Sequence, residues 1–153
     1  MKKFLLILII ISLISVGILF FLDYSEFKSI NLYLQTKVVI NNKSIYLEIA
    51  DQPLKQLKGL SNRKTLAANS GMLFVYPDKK IRSFWMKDMN FPLDIIWIND
   101  DKIVGINKNL APEGNQPIRS YKSPVPVNYV IEVNSGFTDK YGIKIDDYVI
   151  YYE

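Results

Sequence analysis

Neither cysteine nor histidine occurs anywhere in the 153 residues. Without histidine there is no Ser-His-Asp triad and no histidine-ligated zinc or iron. Without cysteine there is no thiol nucleophile, no disulfide, no thiolate metal site and no acylated cysteine of the kind that marks a lipoprotein. Such a domain outside the cytoplasm must rely on its core, and a chain of this length can bury one. Excess charge is scarce too: the formal net charge is +4, and Lys2 and Lys3 alone supply two of those positives. No lysine or arginine cluster falls on a helical face, so the electrostatic footprint of a nucleic-acid binder is missing and nucleic acid is not an expected partner. The pairs Asp100-Asp101 and Asp146-Asp147 lack the regular oxygen spacing and glycine turn of a calcium loop. They read as solvated turns, and no metal or cofactor is expected.

What the chain does have is one long oily run. Phe4 to Leu22 is 19 residues without a charge, broken only by Ser12, Ser15 and Gly17. As a helix it would be roughly 28 Å long, close to the ~30 Å hydrocarbon core of a bilayer. A cleaved signal peptide has a shorter apolar region and a small-x-small site after it, whereas the exit here reads Phe20-Phe21-Leu22-Asp23-Tyr24. The run is therefore expected to be an uncleaved signal-anchor. Lys2 and Lys3 keep the N-terminus cytoplasmic and send the remainder outside. The expected organisation is a transmembrane segment at 1–22, a spacer at 23–36 and an extracytoplasmic domain at 37–153. The expected location is the cell (inner) membrane, single-pass, with the C-terminal domain in the periplasm or at the cell exterior.

Beyond the spacer the chain alternates short β-rich runs with turn residues. Val38–Ile40 and Ser44–Ala50 flank Asn41-Asn42-Lys43, a hairpin signal because asparagine tolerates positive φ. Asp51 is placed to cap a helix with Pro53 in its first turn, and Leu54, Leu57 and Leu60 repeat at helical spacing with Lys55 and Lys58 outward. Strands are expected at 72–76, 81–87, 93–98, 102–106, 128–133 and 148–152. Asn134 or Ser135 would cap a short helix ended by Gly142, and 107–127 is a long irregular loop of the kind that carries function. About eight short strands with frequent turns point to an all-β sandwich or barrel.

The stretch Arg82-Ser83-Phe84-Trp85-Met86-Lys87-Asp88-Met89-Asn90-Phe91-Pro92-Leu93-Asp94-Ile95-Ile96-Trp97-Ile98 holds both tryptophans and reads as two strands meeting at a tight corner. Strand alternation puts Ser83, Trp85 and Lys87 on one face, a half-polar surface where a ring can stack and charges can orient a ligand. The competing reading packs Trp85 in the core with Lys87 snorkelling past it. Asp94 opens an Ile-Ile-Trp-Ile run; since a buried charge is costly unless paired, it either braces a turn through backbone N–H groups or faces a cleft. In the second case Arg63 or Lys87 would be its partner, although Arg63 at a helix exit also suits a structural ion pair. Glu132, in Tyr129-Val130-Ile131-Glu132-Val133, is the other candidate: with Asp94 it would make a carboxylate pair for acid/base hydrolysis if the two converge.

Several of these words recur together elsewhere. Gly71-Met72-Leu73-Phe74-Val75, Phe84-Trp85-Met86-Lys87 and Pro92-Leu93-Asp94-Ile95-Ile96 are joined by Ala50, Gly59-Leu60, Arg63, Leu110-Ala111-Pro112, Ser123-Pro124, Tyr129–Val133 and Gly136-Phe137. Over roughly 38–151 the chain resembles the bacterial and archaeal family of domain of unknown function 192. The resemblance implies a small, mostly β domain, often secreted or membrane-anchored, with a jelly-roll-like arrangement, and it implies no activity. The chain departs from the family wording at Asp88-Met89, usually Asn-Thr, at Ser61, usually methionine, and at Asp146, commonly glycine. The expected fold is mainly β, an antiparallel sandwich or jelly-roll-like barrel with one or two short helices, plus one N-terminal transmembrane helix. The expected function is a non-catalytic binding module of the cell envelope for a glycan, a cell-wall fragment or another envelope protein. Its site would use Arg63, Trp85, Lys87 and Asp94 under the 107–127 loop. The alternative is an envelope hydrolase acting on a glycan or cell-wall substrate through Asp94 and Glu132.

Overall fold

The computed structural model describes residues 35–152. The expected span at 4–22 and nearly all of the spacer lie outside those residues. Among the described residues no helix is long and apolar enough to cross a membrane.

The described chain is mainly β: nine strands and two short helices, with a curled half-barrel sheet at its centre. Strands β1 (Gln35–Ile40) and β2 (Lys43–Ala50) form the expected hairpin, closed by Asn41 and Asn42 at φ 48° and 60°. Both residues sit in the left-handed region that a two-residue turn of this hand requires. Helix α1 (Pro53–Lys58) then leads to β3 (Ser70–Lys80), which pairs with β2 in parallel. The remaining strands are β4 (Ser83–Phe84), β5 (Leu93–Asn99), β6 (Lys102–Leu110), β7 (Tyr121–Lys122), β8 (Val127–Asn134) and β9 (Ile150–Tyr152), with α2 (Phe137–Lys140) after β8. Seven strands make one sheet in the order β6-β5-β8-β3-β2-β1-β9, and β4 with β7 make a separate ribbon.

Three expectations need correction. The domain is not a sandwich of two antiparallel sheets, because β2 and β3 run parallel; the α1 segment supplies the long crossover that parallel neighbours need. The 81–87 and 93–98 segments do not pair with each other. Only Ser83–Phe84 is strand, and it pairs with Tyr121–Lys122, while β5 is inserted between β6 and β8. Leu54 and Leu57 do not enter the core: they are 81% and 65% exposed, and of the three leucines only Leu60 is buried. Helix α1 is held instead by Gln56, whose Nε2 donates to the carbonyls of Ala50 and Val75. Its N-cap is Gln52 without a side-chain bond, and Asp51 forms an ion pair with Lys55.

Each face of the sheet has its own apolar cluster. One gathers Ile45, Leu47, Leu73, Ile96, Ile98, Ile131 and Val133 with Phe137, Ile143 and Val149 from the C-terminal segment. The other gathers Phe74, Ile95, Trp97 and Val130 under Leu60, Met86 and Met89. A strand covered on both sides must be apolar on both, which explains the unbroken run of β5, buried at every residue from Leu93 to Ile98. The sheet curls until its edges approach at one end, where Ile103 N–H donates to Asp147 and Val149 N–H to Asp101. Phe84, from the ribbon, packs edge-on between Phe74 and Trp97 at ring-centroid distances of 4.7 and 5.4 Å.

Asp88 has φ 53° and Asp146 φ 77°, in the left-handed region that short polar residues and glycine enter more readily than others.

Candidate functional site

Strand pairing decides which candidate residues can meet. Ile95 lies opposite Glu132, and Asp94 opposite Val133. Side chains alternate along a strand, so Glu132 shares the face of Ile95 and Trp97 while Asp94 projects from the other. The two carboxylates are separated by the sheet, and the acid/base pair does not form.

Asp94 is fully buried, and its oxygens are saturated. Oδ1 accepts from the N–H of Asn109 at 2.9 Å and of Gly136 at 3.2 Å. Oδ2 accepts from Thr138 N–H at 3.0 Å and Thr138 Oγ1–H at 2.7 Å. It braces a turn, as one reading held, and the turn is the entry to α2. It therefore cannot belong to a recognition surface with Trp85 and Lys87.

The opposite face carries a cleft of about 330 Å³ between α1 with its exit loop and the β3–β4 region. Its walls include Leu57, Phe74, Tyr76, Phe84 and Trp85, and Glu132 lies at its base. Trp85 is 49% exposed, because Phe84 and Met86 on either side of it turn inward. The alternation read from the sequence thus holds locally. Arg63, Lys87 and Asp94 do not line the cleft, nor does any residue of the 107–127 loop, so the expected roof is absent. Lys87 is half-buried, and its carbonyl accepts from Ser61 Oγ at 2.8 Å.

Glu132 is the unusual group. The residue is 5% exposed and, among the described residues, its Oε2 has no hydrogen-bond partner. Burial pushes its carboxyl up to about 8, and the Arg63 charge offsets this only in part. Arg63 is engaged elsewhere: its guanidinium grips both oxygens of Glu48, with Nη2 to Oε2 at 2.7 Å. That pairing holds the Glu48 carboxyl below its ordinary value. The helix-exit ion pair read for Arg63 is present, with a β2 carboxylate as its partner.

The approach to Glu132 depends on Gly59. With φ 50° and ψ −135° it ends α1 in a conformation that only glycine adopts readily. A Cβ there would lie 3.4 Å from the Phe74 ring and 3.8 Å from Glu132 Oε2, in ordinary contact, so it is the backbone conformation that calls for glycine.

Sequence reasoning chose Trp85 for this place and missed the walls from α1. Among the described residues no three acidic side chains gather at metal-binding distance.

Among the solved structures that share this fold, two illustrate the likeness. One is a protein from Sinorhizobium meliloti 1021 described, provisionally, as a transcription regulator; it is 28% identical with a TM-score of 0.71, over 76% of this chain and 93% of that one. The other is a protein of unknown function from Novosphingobium aromaticivorans DSM 12444, 29% identical with a TM-score of 0.67, over 76% of this chain and 84% of that one. No curated protein matches the chain. The model of the family described as "Uncharacterized ACR", domain of unknown function 192, matches residues 36–151, and the chain belongs to that family.

Proposed function

We propose that this chain is a membrane-anchored, extracytoplasmic domain of the cell envelope that binds a ligand in the α1–β4 cleft without turning it over. One observation carries the binding reading: an aromatic-walled cleft closes on a single buried carboxyl with no second free carboxylate beside it. Glu48, on the same face, is committed to Arg63, Asp94 is across the sheet, and Glu113, whose Oε2 is also unpaired, is not among the residues that line the cleft. Hydrolysis by paired carboxyls needs two groups with separate proton affinities flanking one bond, and this cleft offers one. A lone acid among aromatic rings suits recognition instead.

The anchor and the location rest on the charge-free run from Phe4 to Leu22 behind Lys2 and Lys3. The ligand is then a constituent of the envelope: a glycan, a cell-wall fragment or a segment of another envelope protein. Nucleic acid is not among the ligands proposed, since among the described residues Lys58 is the one basic residue lining the cleft, too little to hold a phosphate chain.

The test combines topology with turnover. Protease added to intact spheroplasts should remove the 37–153 domain and leave a membrane-bound stub. Full-length protein incubated with solubilised cell-wall fragments should change its tryptophan fluorescence and return the fragments chemically intact by mass spectrometry. Protection from protease would overturn the location, and cleaved fragments would overturn the non-catalytic role.

A further inference from the structure

We infer that the α1–β4 cleft selects a ligand carrying an ammonium group on an apolar body, with Glu132 as the counter-charge and the Trp85 side of the cleft holding the apolar part. This rests on the binding reading above and narrows it to one chemical class.

The charges around the cleft point that way. Arg63 is locked in a two-pronged ion pair with Glu48, and the charge it still exerts on Glu132 offsets the cost of burial only in part. Lys58 lines the cleft but is exposed on α1 and lies beyond ion-pair distance of Glu132. Tyr76, from β3, is uncharged at neutral pH, and burial raises its phenol further. With Arg63, Glu48, Lys58 and Tyr76 accounted for, an ionised Glu132 would stand as an unbalanced negative charge in a largely enclosed place. Such a charge is tolerated only when a cation or several donors meet it. Oε2 has neither from the protein.

The shape excludes the simpler occupants. A bare divalent cation requires several oxygen ligands, and the cleft provides one carboxyl. An anion would find no free positive charge at the base of the cleft, because Arg63 is committed to Glu48. A cleft of about 330 Å³ is at the small end of ligand sites, large enough for one compact organic cation or one long side chain. Its walls are right for such a cation: Phe74, Phe84 and Trp85 carry π-systems, while one face of Tyr76 is already taken by the Arg82 guanidinium, 3.8 Å from its centroid, and rings attract an ammonium group that has been drawn out of water. Leu57, 65% exposed at the rim, offers apolar surface beside them.

The amine could arrive free or as the side chain of a peptide lysine, so the experiment carries both. Full-length protein in neutral detergent is titrated by calorimetry and by tryptophan fluorescence; Trp97 is buried, so a change in emission reports on Trp85. The probes are n-butylammonium chloride against 1-butanol, and N-acetyl-lysine methylamide against its norleucine counterpart. Each charged probe should bind at least tenfold more tightly than its neutral match, and Glu132→Gln should remove that preference. Glu132 holds its proton at pH 7 in the free protein and gives it up to pair with the cation, so heats measured in buffers of different ionisation enthalpy should show close to one proton released per ligand. Tighter binding of the lysine derivative assigns a protein partner, and tighter binding of butylammonium a free amine. Equal binding of charged and neutral probes, or a preference that survives Glu132→Gln, overturns the ammonium assignment and leaves the cleft a ligand site. If no probe binds, or if Leu57→Arg in the cleft wall leaves binding untouched, both the assignment and the cleft reading fall.

Discussion

The central strands carry two buried carboxylates one residue out of register, and the sheet treats them oppositely. Asp94 on β5 meets four donors, three of them backbone N–H groups. Glu132 on β8 meets none at Oε2 and opens onto a cleft. The difference is one of what covers each face. The Asp94 face is capped by the turn into α2, where Gly136 and Thr138 point their N–H groups inward. The Glu132 face is capped by Leu60, Met86 and Met89, which have nothing to donate. A saturated acid acts as a structural pin. An unsaturated one at the base of a cleft is a site waiting for its donor.

The largest expected effect comes from removing the pin. Asp94→Ala leaves the N–H groups of Asn109, Gly136 and Thr138 without an acceptor, and should destabilise the domain by about 3–5 kcal/mol in chemical denaturation. A loss below about 1 kcal/mol would mean that those donors find other partners and that the contrast is overstated.

Glu132 should behave in the reverse sense. Its folded proton affinity, near 8, is raised above the unfolded value of 4.5. The folded state therefore holds a proton that the unfolded state has lost, and stability falls as pH rises from 4.5 to 8, then levels off. The full fall is about 5 kcal/mol at most, taking 1.36 kcal/mol per pH unit. Glu132→Gln should abolish that slope and leave a chain more stable than the native one at pH 9. Identical pH profiles for the two proteins would show that Glu132 ionises without penalty, and the contrast with Asp94 would collapse.

The smallest effect on stability belongs to Trp85. Half of it is already in water, so Trp85→Ala should cost less than about 1 kcal/mol, while weakening capture of n-butylammonium by roughly tenfold through the lost cation–π contact. A stability loss of several kcal/mol would place Trp85 in the core after all.

Legibility followed the range of the interaction. The Asn41-Asn42 hairpin could be read because its turn depends on the conformational freedom of two adjacent residues. The exposure of Trp85 could be read from alternation with Phe84 and Met86. The β4–β7 pairing was illegible, since the partners are brought together by a chain reversal that leaves no local trace in Ser83-Phe84 or Tyr121-Lys122. The parallel β2–β3 pair had a trace, a helix inserted between two strands, but strand-rich surroundings argued for hairpins instead. The α1 leucines misled because helical spacing shows that one side is apolar and not that anything covers it.

By itself the sequence determined the chemistry available: no thiol, no imidazole, a charge-free run at 4–22, β-rich segments and their turns, and a short set of acids to choose among. Only the tertiary structure decided which acid is a brace and which faces a cleft. That choice turns on register, and a one-residue step along a strand moves a side chain through the sheet to surroundings that nothing in its sequence neighbours specifies.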